Sequence, residues 1–180
     1  MLPSQLALMS VPMARSWVEQ TLRAINALSM HPAVSRYFFL HAAPPAARGT
    51  LDNLYRRIDQ VLGRAESVFR NGDWNVARLT MTAVRRGSID RFMGAGTVAY
   101  NNEPRDQYIY FNPSYMHCGP LTRVYVLVHE AAHHLHSTIV HRRINPPQAF
   151  DEATLDADAF SDCAFEVATG RAAATRTDAT

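Results

Sequence analysis

Apolar positions recur at helical spacing through the N-terminal part of the chain. Over 13–30, Trp17, Val18, Leu22, Ile25 and Leu28 share one face, which predicts an amphipathic helix interrupted by His31-Pro32. Val34, Tyr37, Phe38 and Leu40 predict a second helix over 33–42, before a loop at Pro44-Pro45. Leu51, Leu54, Tyr55, Ile58, Val61, Leu62 and Phe69 predict a longer helix over 50–70, capped by Thr50 or Asp52 and ended by Asn71-Gly72-Asp73. His31 and His41 flank these helices and read as surface or packing residues.

The period then changes from helical to alternating. Residues 76–83 set Val76, Arg78, Thr80 and Thr82 against Ala77, Leu79, Met81 and Ala83, the pattern of a strand. Gly94-Ala95-Gly96 breaks the chain, and 97–100 and 107–111 predict a hairpin. The apolar run Val124, Val126, Leu127 and Val128 opens a helix over 121–137 with no internal Gly or Pro. Residues 150–170 predict a last helix with Phe150, Ala153, Leu155, Ala157, Phe160, Ala164, Phe165 and Val167 on its apolar face. Residues 171–180 read as a flexible tail, which leaves 1–170 as one α+β domain.

Composition narrows the class. A chain of 180 residues, 47% apolar, is sufficient for one domain with a real core. A net charge of +2 with no basic stripe argues against a nucleic-acid partner. All 18 basic residues are Arg, which reads as the coding bias of a GC-rich genome. The N-terminus has no basic segment ahead of its short apolar stretch between Pro3 and Pro12, so it makes a poor signal peptide. No apolar run is long enough to insert across a membrane. Cys118 and Cys163 form one disulfide or stand as two thiols; spacing leaves both open.

The chemistry concentrates at His129-Glu130-Ala131-Ala132-His133, an H-E-x-x-H motif. On a helix the two imidazoles lie one turn apart on one face, where both can bind a single Zn²⁺. Glu130, beside the first ligand but angled away, is placed to act as general base on a metal-activated water. A catalytic zinc needs a third protein ligand and one open position. Helix 150–170 carries Asp151, Glu152, Asp156 and Asp158 in its first turns, more acids than the helix dipole alone requires. Glu152 is the first choice for the third ligand, with Asp158 and His136 as alternatives and His141 as a further histidine. Tyr115, just before the zinc helix, is the expected donor to the tetrahedral oxyanion, alongside Tyr100, Tyr110 and His141.

A small sheet followed directly by an H-E-x-x-H helix resembles the zincin metallopeptidases. That resemblance implies a zincin-like fold: N-terminal helices, a small and mostly antiparallel sheet, an edge strand over the site, the active-site helix and a C-terminal helix. It also implies a protein or peptide substrate that pairs with the edge strand. The pair Glu152 and Asp156, four residues apart, looks like the second motif of the gluzincins. There the Glu ligates zinc and the Asp orients the first His, so Asp156 would hold His129. Tyr37-Phe38, Tyr108-Ile109-Tyr110-Phe111, Val128-His129-Glu130 and Asp156-Ala157-Asp158-Ala159-Phe160 together resemble the deuterolysin or aspzincin family. That family takes an Asp soon after the second His, and residues 135–145 contain none, so a carboxylate from 151–158 takes its place. Small domains of this look without a signal sequence resemble bacterial secreted toxins. This analogy implies export by a dedicated apparatus and an immunity or inhibitor protein as partner. A cell-wall peptide amidase using the same zinc, and a non-catalytic zinc-stabilised binding module, are the alternative functions.

Overall fold

The computed structural model describes residues 1–72, 98–101, 107–136, 138–139 and 147–173. Its long N-terminal helix, α1 (Pro3–Asn26), is the element against which the others pack. It starts ten residues before the apolar pattern predicts. Pro3 occupies the first turn, where its missing N–H costs nothing, and Gln5 Oε1 accepts from the Leu2 amide at 2.9 Å. Pro12 lies inside the helix but on its exposed side, where solvent serves the carbonyl that the ring leaves without a donor. Ala7, Ala14, Val18, Thr21 and Ile25 form the buried stripe. Leu28, expected on that face, lies beyond the helix end and is exposed. Arg48 stops the helix by donating to the carbonyls of Ile25 and Ala27.

Helix α2 (Pro32–Phe38) is capped by His31, whose Nδ1 accepts from the Ala33 amide at 3.2 Å. It ends earlier than predicted because Phe39 turns left-handed, at φ 52°, and the Leu40 amide closes back on the Ser35 carbonyl. The helix predicted over 50–70 is two elements and a strand: α3 (Ala47–Gly63), α4 (Ala65–Val68) and β1 (Phe69–Asn71). Gly63 and Arg64 break the helix, and Phe69 is drawn into a sheet. The apolar face of α3 is as its spacing predicts, with Leu51, Tyr55, Ile58, Val61 and Leu62 buried.

The hairpin is present as β2 (Ala99–Asn101) and β3 (Ile109–Phe111), antiparallel with Tyr100 opposite Tyr110. The sheet is mixed, not mostly antiparallel, because β1 joins β3 in parallel. Its order is β1-β3-β2. The strand expected over 76–83 lies outside the described residues. A short 3-10 turn (Pro113–His117) leads to α5 (Pro120–His133), which carries the H-E-x-x-H motif in its last turns. The last predicted helix is split. After α6 (Phe150–Ala153), the chain turns at Thr154 and Leu155, and α7 (Ala157–Thr169) begins afresh. The break comes from Asp156, whose carboxylate accepts from the Asp158 amide and caps α7. Glu152 and Asp156 are therefore not one turn apart on a common helix face. Gly170, at φ 68°, closes α7. Of the expected tail, Arg171 and Ala172 are exposed and Ala173 is buried, and 174–180 lie outside the described residues.

One apolar cluster joins α1, α3, α5, α7 and the sheet. Its aromatic centre is Phe38, Tyr55 and Phe160, with ring centroids 5.2–6.2 Å apart, and Trp17 stands edge-on to Phe165 at 5.6 Å. The Tyr55 hydroxyl, buried among them, donates to the Phe160 carbonyl at 2.9 Å. Among the described residues no helix is long and apolar enough to cross a membrane.

Both cysteines are free thiols. Burial pushes the Cys163 thiol from its ordinary 9.0 up to about 12, and pushes the Tyr37 hydroxyl from 10.0 to about 12, with Asp162 and Glu166 adding to Tyr37. Between pH 9 and 12 the unfolded chain therefore holds fewer protons than the native one. Their contribution to stability is whole below pH 9 and is lost as pH rises through that window. Urea midpoints should fall steadily from pH 9 to 11; a flat profile contradicts the burial of these groups.

Gly72 is a close-approach glycine. Its amide donates to the Phe111 carbonyl at 2.8 Å, and a Cβ there would stand 2.2 Å from Oδ1 of buried Asn112. Gly72→Ala should destabilise the chain by about 1–3 kcal/mol in urea unfolding. Gly49→Ala, in a helix with nothing within 4 Å of the new methyl, should be neutral or stabilising by up to about 1 kcal/mol. Equal midpoints for the two variants contradict the clash.

Candidate metal centre

Helix α5 is buried on all sides from Val124 to Ala132. Such a helix reads as pure core, yet its last turns carry His129, wholly buried, and Glu130, 1% exposed. Polar groups in that position need partners, since burying them unpaired costs several kcal/mol or shifts their charge state. The structure supplies partners from two directions.

His129 and His133 lie one helical turn apart, with ring centroids 5.1 Å apart and planes at 67°. His129 Nδ1 stands 3.3 Å from Asp158 Oδ1 on α7. Tyr125, one turn earlier on α5, lies nearly parallel to the His129 ring at 6.2 Å. Its hydroxyl reaches Asp158 Oδ1 at 3.3 Å and Asp162 Oδ1 at 2.8 Å. From the sheet, Asn101 Nδ2 donates to the Glu130 carboxylate at 2.6 Å and to the Glu130 carbonyl at 3.1 Å. The register explains that reach. Asn101 pairs with Ile109, so it shares the inward face with Ala99, Ile109 and Phe111, and it is the polar end of that apolar face.

Each residue named from the sequence has a definite place among the described residues. His129, Glu130 and His133 share the last turns of α5. The carboxylate beside His129 is Asp158, not Asp156: Asp156 is committed to the α7 cap, while Asp158 lies inside α7, on the side packed against α5. Glu152 accepts from the Gln148 amide at 2.9 Å at the start of α6. His136 lies past the end of α5, exposed, with its ring on the Thr138 amide and hydroxyl at 3.2 and 2.7 Å. It is therefore not one turn along the helix from His133. His141 lies outside the described residues. No group of three or more His, Cys, Asp or Glu side chains is placed to hold a metal among the described residues.

Tyr115 is wholly buried against Phe111, and its hydroxyl donates to the Arg123 carbonyl at 3.3 Å. Arg123 is six residues before His129, about 9 Å along the helix, so the structure does not bring Tyr115 to the motif. Tyr100 and Tyr110 stack at 5.1 Å on the sheet face opposite to the one that carries Asn101. Arg70 of β1 lies over the ring of Tyr108, the residue before β3, at 4.1 Å.

Three residues of the network escape sequence reading: Asn101, Tyr125 and Asp162. Tyr125 is four residues before His129 and Asp162 four after Asp158, so helical spacing alone lines both pairs up. Asn101 gives no such signal, because beside Asn102 it looks like a turn residue.

The chain matches no protein-family model, no curated protein and no solved structure.

Exchange of Asp158 for Asn should loosen this centre without unfolding the core. The expected loss is about 1–3 kcal/mol in urea unfolding, the cost of weakening one buried charge-assisted contact. An unchanged midpoint contradicts the place given to Asp158 beside His129.

Proposed function

We propose that this chain is a zinc-dependent metallopeptidase in which His129 and His133 are metal ligands and Glu130 is the general base. The observation that carries the reading is the pair of imidazoles one turn apart, the inner of which has its Nδ1 on the Asp158 carboxylate. A carboxylate behind an imidazole fixes its tautomer, raises its basicity and leaves Nε2 for a metal. The donor chemistry fits zinc: two imidazoles with a carboxylate close by. The third ligand belongs to Glu152, which must then leave the Gln148 amide, or to a residue such as His141 outside the described part of the chain. Bound there, zinc supplies Lewis acidity toward water and the scissile carbonyl.

The chain's own residues supply the rest. Glu130 takes the proton of the attacking water and passes it to the leaving amine. Asn101 holds the Oε2 side of that carboxylate, so Glu130 works from a fixed position. Among the described strands β2 is an edge, which supports an extended peptide adding beside it, over the turn that carries Glu130. The zincin-like reading of the fold rests on that edge strand and on the motif helix behind it. Export as a toxin, with an immunity protein as partner, belongs to the same proposal and rests on resemblance alone.

A second reading is supported by the contacts that reach α5 from two sides, Asp158 from α7 and Asn101 from β2. In it the same network is a polar tie between α5, α7 and β2 in a binding module. One experiment separates the two. Wild type and Glu130→Ala are assayed for zinc by elemental analysis and for cleavage of an unfolded protein. The metallopeptidase reading expects about one zinc in both, with cleavage reduced at least ~100-fold in the variant. Full cleavage by the variant, or no zinc in the wild type after loading, contradicts it.

A further inference from the structure

The free side of α1 is apolar at one end only. Leu2, at the cap of the helix, and Leu6, Met9 and Met13 within it follow at intervals of four, three and four, so they form one stripe. Leu2 is 50% exposed, Met9 69% and Met13 46%. Single exposed apolar side chains are ordinary, but a row of them along one helix marks an interaction surface. Met116, also exposed, lies beside it on the 3-10 turn that packs on α1, where Ser10 meets the Tyr115 hydroxyl.

The stripe carries no charge. No acidic or basic residue occurs before Arg15. Arg15 is drawn aside to α3, where Asp59 holds it at 2.7 and 2.9 Å, and Glu19 and Arg23 pair with each other farther along. A helix that binds a lipid surface carries basic side chains next to its apolar face, and this end of α1 has none. A second copy of the chain matches it better. With two stripes antiparallel about a two-fold axis between Ala7 and Leu8, Leu2 of each copy meets Met13 of the other, and Leu6 meets Met9. All four layers are then apolar, no charge is buried and the two helix dipoles oppose. Unbranched Met side chains adapt to the Leu they face. Four layers make a small contact, below about 1,200 Å² in total, the class of reversible rather than permanent pairs.

We propose that the stripe of Leu2, Leu6, Met9 and Met13 is a docking surface for the same stripe of a second copy, set antiparallel. This surface makes no use of the motif on α5 and stands apart from the zinc reading.

Sedimentation equilibrium of the full chain over about 1–300 μM tests it. Wild type should pass reversibly from monomer to dimer within that range. Met13→Glu and Leu2→Lys each place a charge in two of the four layers. Each alone should weaken association at least ~10-fold. Both positions are exposed in the single chain, so the fold is not at stake. An equal mixture of the two variants should associate at least ~10-fold more tightly than either alone, because the new carboxylate of one copy meets the new ammonium of the other. A wild type that stays monomeric throughout overturns the proposal, whether or not it sediments with phosphatidylglycerol vesicles, the sign of a lipid surface instead. A dimer that neither substitution weakens lies on another face, and a mixture without rescue excludes the antiparallel register; either result overturns it too.

Discussion

A buried helix that ends in ionisable side chains constrains everything around it. Helix α5 has no solvent-facing side between Val124 and Ala132, so His129 and Glu130 must find partners in protein or in a bound ion. Asp158 can serve His129 only if α7 packs at one rotation against α5, and Asn101 can reach Glu130 only if β2 holds its register on β3. A one-residue slip of β2 would turn Asn101 to the outer face beside Tyr110. The buried face of Ala99, Ile109 and Phe111 and the polar contacts demand the same arrangement. Here specificity of the fold and assembly of the candidate centre are the same requirement.

The helices were legible in the sequence because apolar spacing is what buries them. Leu51, Tyr55, Ile58, Val61 and Leu62 of α3 and the run ahead of His129 in α5 behave as their period demands. The ends were less legible, and each for a local reason. Pro12 looks like a stop but lies on the wet side of α1, where its cost is small. Phe69 continues the helical period of α3, yet the sheet captures it after the break at Arg64. Asp156 continues the period of 150–170, yet it is worth more as a cap than as an interior helical residue. Short-range competition of this kind leaves no mark on hydrophobic periodicity.

The same contrast runs through the centre. The motif residues were evident, since spacing fixes His129 and His133 on one face. Which acid stands behind His129 depended on where α7 starts, and a shift of two residues exchanges Asp156 for Asp158. Asn101 was invisible, because its partner is distant in sequence and its role depends on strand register. Tyr115 shows the reverse case: near the motif in sequence, it points to the Arg123 carbonyl at the far end of the helix and is spent on the core.

The central claim is that the last turns of α5 present two imidazoles to one metal. Zinc-edge X-ray absorption on the zinc-loaded wild type tests it most directly. The account predicts one tightly held zinc with two imidazole nitrogens at about 2.0–2.1 Å, the rest of the shell light atoms and no sulfur. Failure to retain zinc, or a shell without imidazole scattering, would contradict it and leave His129, Glu130 and Asp158 as a polar tie within the core.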